Sequence, residues 1–117
     1  MRIEIHTGKF SLTDAMRAYI ERRIHFTLNR AQHGLRKISL RLDDINGPKG
    51  GDDKSCRIQI PVAGGKSVVI EEVRSDLYVA IDRALERAAR AVSRQLVRKR
   101  EYSHKRLVLQ SSDALPS

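Results

Sequence analysis

Hydrophobic and polar residues alternate in three short stretches of this 117-residue chain. Near the N-terminus, Ile3 and Ile5 alternate with Arg2 and Glu4, which predicts a strand over residues 2–6. The same period of two predicts strands over residues 38–42 and 55–62, and a run rich in Val and Ile predicts a fourth strand over residues 67–73. The strand over 55–62 places Cys56 on the face that also carries its isoleucines, so we expect this cysteine to be buried.

Two longer stretches repeat apolar residues at helical spacing. Thr13 is expected to cap a helix over 14–30, and Ser75 to cap a second helix from Asp76 to about Arg100. The apolar positions of the first helix are Met16, Tyr19, Ile20, Ile24 and Leu28. Those of the second helix are Leu77, Ile81, Leu85, Ala88, Val92 and Leu96.

The predicted order is β-α-β-β-β-α. Residues 46–54 are rich in Gly, Pro and Asp and read as a loop, and residues 63–66 read as a hairpin turn. The order predicts an α+β fold in which both helices pack on one face of a four-stranded sheet. Residues 1–106 are expected to form one domain, and residues 107–117, which lack a clear period, a flexible C-terminal tail.

Positive charge is segregated along the chain. The formal net charge is +9, and residues 83–106 alone hold nine Lys or Arg against two Asp or Glu. Residues 37–82 are close to neutral, with seven basic and eight acidic residues. Residues 1–36 are also basic, with seven Lys or Arg against three Asp or Glu. Because each of these two basic segments contains all or most of one predicted helix, we expect one basic surface that meets a polyanion.

Arginines recur along one side of the second predicted helix, at Arg83, Arg87, Arg90, Arg94 and Arg98. They fall within an arc of roughly 80° opposite the apolar side, and successive members advance by about 5–6 Å. That advance is comparable to phosphate spacing, and the guanidinium fork suits phosphate oxygens. An ordinary solvated helix face is the alternative, but such a face usually carries Glu partners. Only Glu86 and Glu101 are available here.

The sequence gives little support for base stacking, metal binding or catalysis. Tyr19, Phe26 and Tyr78 lie on or near the apolar faces and are predicted to be core, so recognition should be of backbone and shape. No metal spacing, nucleophile arrangement or carboxylate pair suggests an enzyme, a cofactor or a small-molecule substrate. A single cysteine and the lack of a long apolar run favour a cytoplasmic protein that does not enter membranes.

The segment Asp76-Leu77-Tyr78-Val79-Ala80-Ile81-Asp82 resembles the DLYxAID segment of the ribosome hibernation promoting factor and protein Y family. The helix start over 13–17, TDAMR, and the order of elements are similar to that family too. The resemblance covers roughly residues 1–100. Because the tail is short, the chain resembles the short type of the family.

The resemblance implies a role in ribosome hibernation under stress. Family members bind the small ribosomal subunit near the decoding region and inhibit translation by excluding mRNA and tRNA. The implied partners are 16S rRNA and the 70S ribosome. The chain itself is expected to be a monomer when it is not bound to ribosomes. Five positions match basic residues of the family: Arg87, Arg90, Arg94, Arg98 and Arg23. Three further candidates are added from this sequence: Arg22 and Lys99, which neighbour matched positions, and Arg83, the first arginine of the row on the second helix, here called the arginine stripe.

Two alternatives remain open on the sequence. A general double-stranded RNA-binding domain would share the α+β shape and the basic surface. A basic protein-interaction module would use the same surface against an acidic protein.

Overall fold

The structure is a computed structural model that describes residues 1–8, 10–29, 34–45, 53–62, 64 and 66–114, with side chains described as far as Arg98. Its elements follow the predicted order, β-α-β-β-β-α. They are β1 (Arg2–Thr7), α1 (Asp14–Thr27), β2 (Lys37–Asp44), β3 (Lys54–Ile60), β4 (Val68–Arg74) and α2 (Leu77–Ala114). The predicted α+β fold class is confirmed.

The four strands form one sheet in the order β1-β2-β3-β4. β1 and β2 are parallel, because α1 carries the chain back across the sheet between them. β2, β3 and β4 are antiparallel neighbours joined as a meander. The turn between β3 and β4 contains Gly64, whose φ of 74° lies in the left-handed region that glycine enters without a steric cost. Most of the predicted loop 46–54 lies outside the described residues.

The hydrophobic core lies between the sheet and the layer formed by the two helices. The inward residues of the strands alternate with exposed ones, and both helices place their apolar sides against them. The fully buried large side chains from the strands are Ile38, Leu40, Leu42, Ile58 and Ile60, and those from the helices and the C-cap of α1 are Ile20, Ile24, Leu28, Ile81, Leu85 and Val92. The other face of the sheet therefore remains open and polar, with Arg41 and Arg57 exposed on it.

The helix starts differ in how well the sequence predicts them. The Thr13 hydroxyl accepts a hydrogen bond from the Met16 amide at 3.1 Å, as expected of the α1 cap. The cap of α2 is Asp76 and not Ser75. The Asp76 carboxylate accepts from the Tyr78 amide at 2.8 Å, and its carbonyl accepts from the Ala80 amide. A carboxylate at this position also favours the positive end of the helix.

The helix ends also differ from the predictions. α1 ends at Thr27, where the Leu28 amide still donates to the Ile24 carbonyl, whereas the prediction continued to residue 30. α2 continues to Ala114 and does not stop near Arg100. The stretch 77–114 contains no Gly or Pro, and an established helix extends without a new nucleation cost. The separation of residues 107–117 from the domain as a flexible tail stays a prediction.

Cys56 lies in the core, as predicted, with no exposed surface. Burial raises the pKa of its thiol to about 12, and the negative charge of Glu72 adds to the effect. A thiol is reactive only as the thiolate, so the folded protein protects this side chain.

We expect a thiol reagent at pH 8 to label the folded protein at least about 100-fold more slowly than the urea-unfolded chain. Because Cys56 is the single cysteine, the whole signal reports on it. The raised pKa also means that the unfolded chain releases this proton first, so stability should fall as the pH rises above 9. Equal labelling rates for folded and unfolded protein would contradict the buried position.

The capping geometry gives a second expectation. Asp76→Ala should lower the free energy of unfolding by about 1 kcal/mol, because the Tyr78 amide loses its partner at the helix start. Ser75→Ala is the matched control and should change it by less than about 0.5 kcal/mol. Urea unfolding followed by circular dichroism measures both, and the reverse ranking would restore Ser75 as the cap.

Candidate nucleic-acid interface

The arginine stripe lies on the solvent side of α2. Arg83, Arg87, Arg90, Arg94 and Arg98 are all exposed, while residues on the opposite side of the helix are fully buried. The predicted division of α2 into an apolar and an arginine side is therefore present in the fold. Lys99, the other candidate on this helix, has a side chain outside the described residues.

Arg87 ties the stripe to the sheet. Its Nη1 atom donates to the Glu71 carbonyl and to the Glu72 carboxylate of β4, both at 3.0 Å. Arg74 also contacts Glu72, at 3.3 Å. Partial burial raises the pKa of Glu72, but the hydrogen bonds from Arg87 and Arg74 outweigh it and leave the pKa below its ordinary value. Arg87 is thus a packing residue as well as a candidate contact.

The other arginines of the stripe make fewer contacts with the rest of the protein than Arg87 does. Arg83 pairs with Glu86 at 3.4 Å, one turn along the helix, and Arg90 donates from Nε to the Glu86 carbonyl at 3.4 Å. Among the described side chains, no carboxylate lies within ion-pair distance of Arg90, Arg94 or Arg98. Most of their donors are therefore open to solvent or to a ligand.

A groove runs beside the stripe, between α2 and the edge strand β4. It is open to solvent, has a volume of about 430 Å³ and is lined by Ile70, Arg87, Arg90 and Arg94. Three guanidinium groups around one groove favour an anionic ligand such as a phosphate. The groove brings together three of the four arginines that the family resemblance singled out on α2.

Arg23 has a different environment from the stripe. Its Nε atom donates to the Asp82 carboxylate of α2 at 3.1 Å, and the Tyr19 hydroxyl donates to the same carboxylate at 2.7 and 2.8 Å. Burial and the neighbouring Asp82 raise the pKa of Tyr19, so the hydroxyl remains a donor. The Tyr78 ring meets the Tyr19 ring edge-on, with centroids 4.9 Å apart. The group joins α1 to α2, whereas Arg22 is exposed beside it.

The prediction that Tyr19, Phe26 and Tyr78 are core residues is wrong for Phe26 and for Tyr78. Phe26 is 76% exposed, Tyr78 is 41% exposed, and only Tyr19 is largely covered. The helix geometry explains the error, because Phe26 follows Ile24 by two residues and so points about 200° away from it. The Arg23 guanidinium lies 5.4 Å from the centre of the Phe26 ring, within the range of a cation–π contact.

In the described part of the chain, no three His, Cys, Asp or Glu side chains come close enough together to hold a metal ion. None of the described helices combines the length and the apolar character needed to cross a membrane.

Comparisons with known proteins identify the family. The model described as Sigma 54 modulation protein / S30EA ribosomal protein matches residues 3–100, so the chain belongs to this family. The crystal structure of the Thermus thermophilus Protein Y N-terminal domain is similar, with 34% identity, a TM-score of 0.67, and coverage of 80% of this chain and 98% of that one. The predicted resemblance is confirmed, and the membership supports a ribosome-associated role.

A second solved structure shares the fold. It is described as a ribosomal subunit interface protein from Coxiella burnetii, with 17% identity and a TM-score of 0.68. It covers 83% of this chain and 99% of that one. A comparison with curated proteins gave no match.

The contrast between Arg23 and Arg22 predicts different effects on stability. Arg23→Ala should lower the free energy of unfolding by about 1 kcal/mol, because it removes a partly buried, charge-assisted hydrogen bond between the helices. The adjacent Arg22→Ala should change it by less than about 0.5 kcal/mol. Chemical denaturation measures both, and equal effects would show that the Asp82 contact contributes nothing to the packing of α1 on α2.

Proposed function

We propose that this protein is a ribosome hibernation factor. It binds 16S rRNA of the small subunit near the decoding region and inhibits translation by occupying the space of mRNA and tRNA. It acts in the cytoplasm under stress as a monomer, on free subunits or on 70S ribosomes, and its action needs no catalysis. The observation that carries the proposal is the row of exposed arginines along one side of α2.

The geometry of α2 supports phosphate binding. Residues 90, 94 and 98 follow one another at one-turn intervals of about 6 Å, so their guanidinium groups can reach successive phosphates of one strand. Their side chains are exposed, and none of the carboxylates that the structure describes lies within ion-pair distance of them. A row of donors without acidic neighbours is better suited to a polyanion than to water alone.

The relatives support the ribosome as the source of that polyanion. The Coxiella burnetii structure is described as a ribosomal subunit interface protein, and the family description names a ribosomal protein. The location near the decoding region and the exclusion of mRNA and tRNA come from the family resemblance. Arg22 and Arg23 on α1 extend the proposed contact surface to the first helix.

The decisive experiment reverses charge on one face at a time. Arg90→Glu with Arg94→Glu should weaken co-sedimentation with small subunits and 70S ribosomes by at least about tenfold, and should lower the salt slope by about two. Arg41→Glu with Arg57→Glu makes the same change in net charge on the open face of the sheet and is the matched control. Thermal unfolding checks that both variants fold.

Three results would overturn the proposal. In the first, the two double variants bind ribosomes equally well. In the second, isolated RNA duplexes compete as strongly as ribosomes, which would favour a general duplex-binding domain. In the third, ribosomes occupied by the protein still translate a reporter mRNA at the normal rate. A partner that survives RNase treatment would favour a protein-interaction module.

A further inference from the structure

Phe26 is an apolar ring on a basic, solvent-facing side of the molecule. Its exposed fraction of 76% exceeds that of every other large hydrophobic side chain the structure describes; the next is Ile45 at 50%. A single exposed hydrophobic residue is common on proteins and proves little by itself. The setting of the ring is more informative than its exposure.

The ring lies next to a fixed cation. Arg23, one turn before Phe26, is held by the Asp82 carboxylate at 3.1 Å, and Tyr19 holds that carboxylate in turn. The guanidinium carbon of Arg23 lies 5.4 Å from the ring centre. One face of the ring is therefore occupied by a positioned guanidinium. The high exposure of the side chain leaves the other face accessible.

The charges around the ring favour an anionic partner. Arg22 is exposed four residues before Phe26 on α1. The one carboxylate that the structure joins to this group, that of Asp82, is already paired with Arg23. An aromatic face bordered by arginines matches a nucleic acid, which presents an apolar base beside a charged phosphate.

We propose that Phe26 stacks on an unpaired nucleobase of the bound RNA. Bases inside a duplex offer no free face to a side chain, so the site selects a single-stranded or bulged segment. Arg23, Phe26 and the base would form one continuous stack, with Arg22 placed for the adjoining phosphate. This inference rests on the proposed function, and it adds base contact to an interface otherwise made of phosphate contacts.

The chain lacks tryptophan, so Phe26→Trp introduces a single indole at the site. We expect its fluorescence to be quenched on binding to small subunits and to a short single-stranded RNA. The same RNA length without bases should bind through its phosphates and leave the fluorescence unchanged. Quenching by the base-free strand, or an unquenched indole in the presence of both base-containing ligands, would overturn the stacking site.

Affinity provides an independent measurement. Phe26→Ala and Phe26→Leu should each bind the single-stranded RNA about 5- to 150-fold more weakly, whereas Phe26→Tyr should bind as the natural protein does. Val69→Ala removes an exposed apolar side chain from the open face of the sheet and is the control. Loss of affinity in Phe26→Leu that Phe26→Tyr does not share separates stacking from general hydrophobic contact.

The two proposals fail in different ways. If the natural protein did not bind ribosomes, the proposed function would be wrong, while quenching by single-stranded RNA would still establish the stacking site. If it bound ribosomes and Phe26→Ala bound within twofold of it, the stacking inference alone would be wrong. Loss in Phe26→Ala of a partner that resists RNase would assign Phe26 to a protein contact instead.

Discussion

Burial of the apolar side of α2 against β3 and β4 is the constraint on which the rest of the surface depends. Ile81, Leu85, Ala88 and Val92 lose all contact with water, which fixes the rotation of the helix about its axis. Once that rotation is fixed, the arginines on the opposite side must face solvent. The basic surface is thus a consequence of hydrophobic packing, and the edge strand β4 supplies the other wall of its groove.

Charged residues serve two purposes in this fold. Arg23 and Arg87 carry the charge expected of a polyanion surface, yet each also joins α2 to a neighbouring element, through Asp82 and Glu72. Arg94 and Arg98 have no such contact among the described side chains. Under the proposed function, substitutions at the first pair would change stability and RNA binding together, whereas substitutions at the second pair would report on RNA binding alone. This distinction matters for reading any mutational map of the surface.

Helical spacing was a poor guide to the burial of the aromatic residues. Their spacing placed all three near apolar faces, but proximity on a helical wheel does not decide burial at the edge of an interface. Tyr19 is covered because α2 lies beside it and the Asp82 carboxylate accepts a hydrogen bond from its hydroxyl, while Phe26 lies beyond the edge of that contact. Arg23 covers one side of the Phe26 ring without enclosing it. The exposed ring is the feature on which the proposed contact with an unpaired base depends.

The sequence by itself determined the order of elements, the sheet-facing residues and the division of α2 into apolar and arginine sides. These features follow from periods of two and 3.6 residues, which are local properties of the backbone. Only the tertiary structure decided that Arg23 meets Asp82, that Arg87 meets Glu72, and that Phe26 remains exposed. The two arginine pairings join side chains 59 and 15 residues apart, and such contacts arise only when the packed layers bring them together.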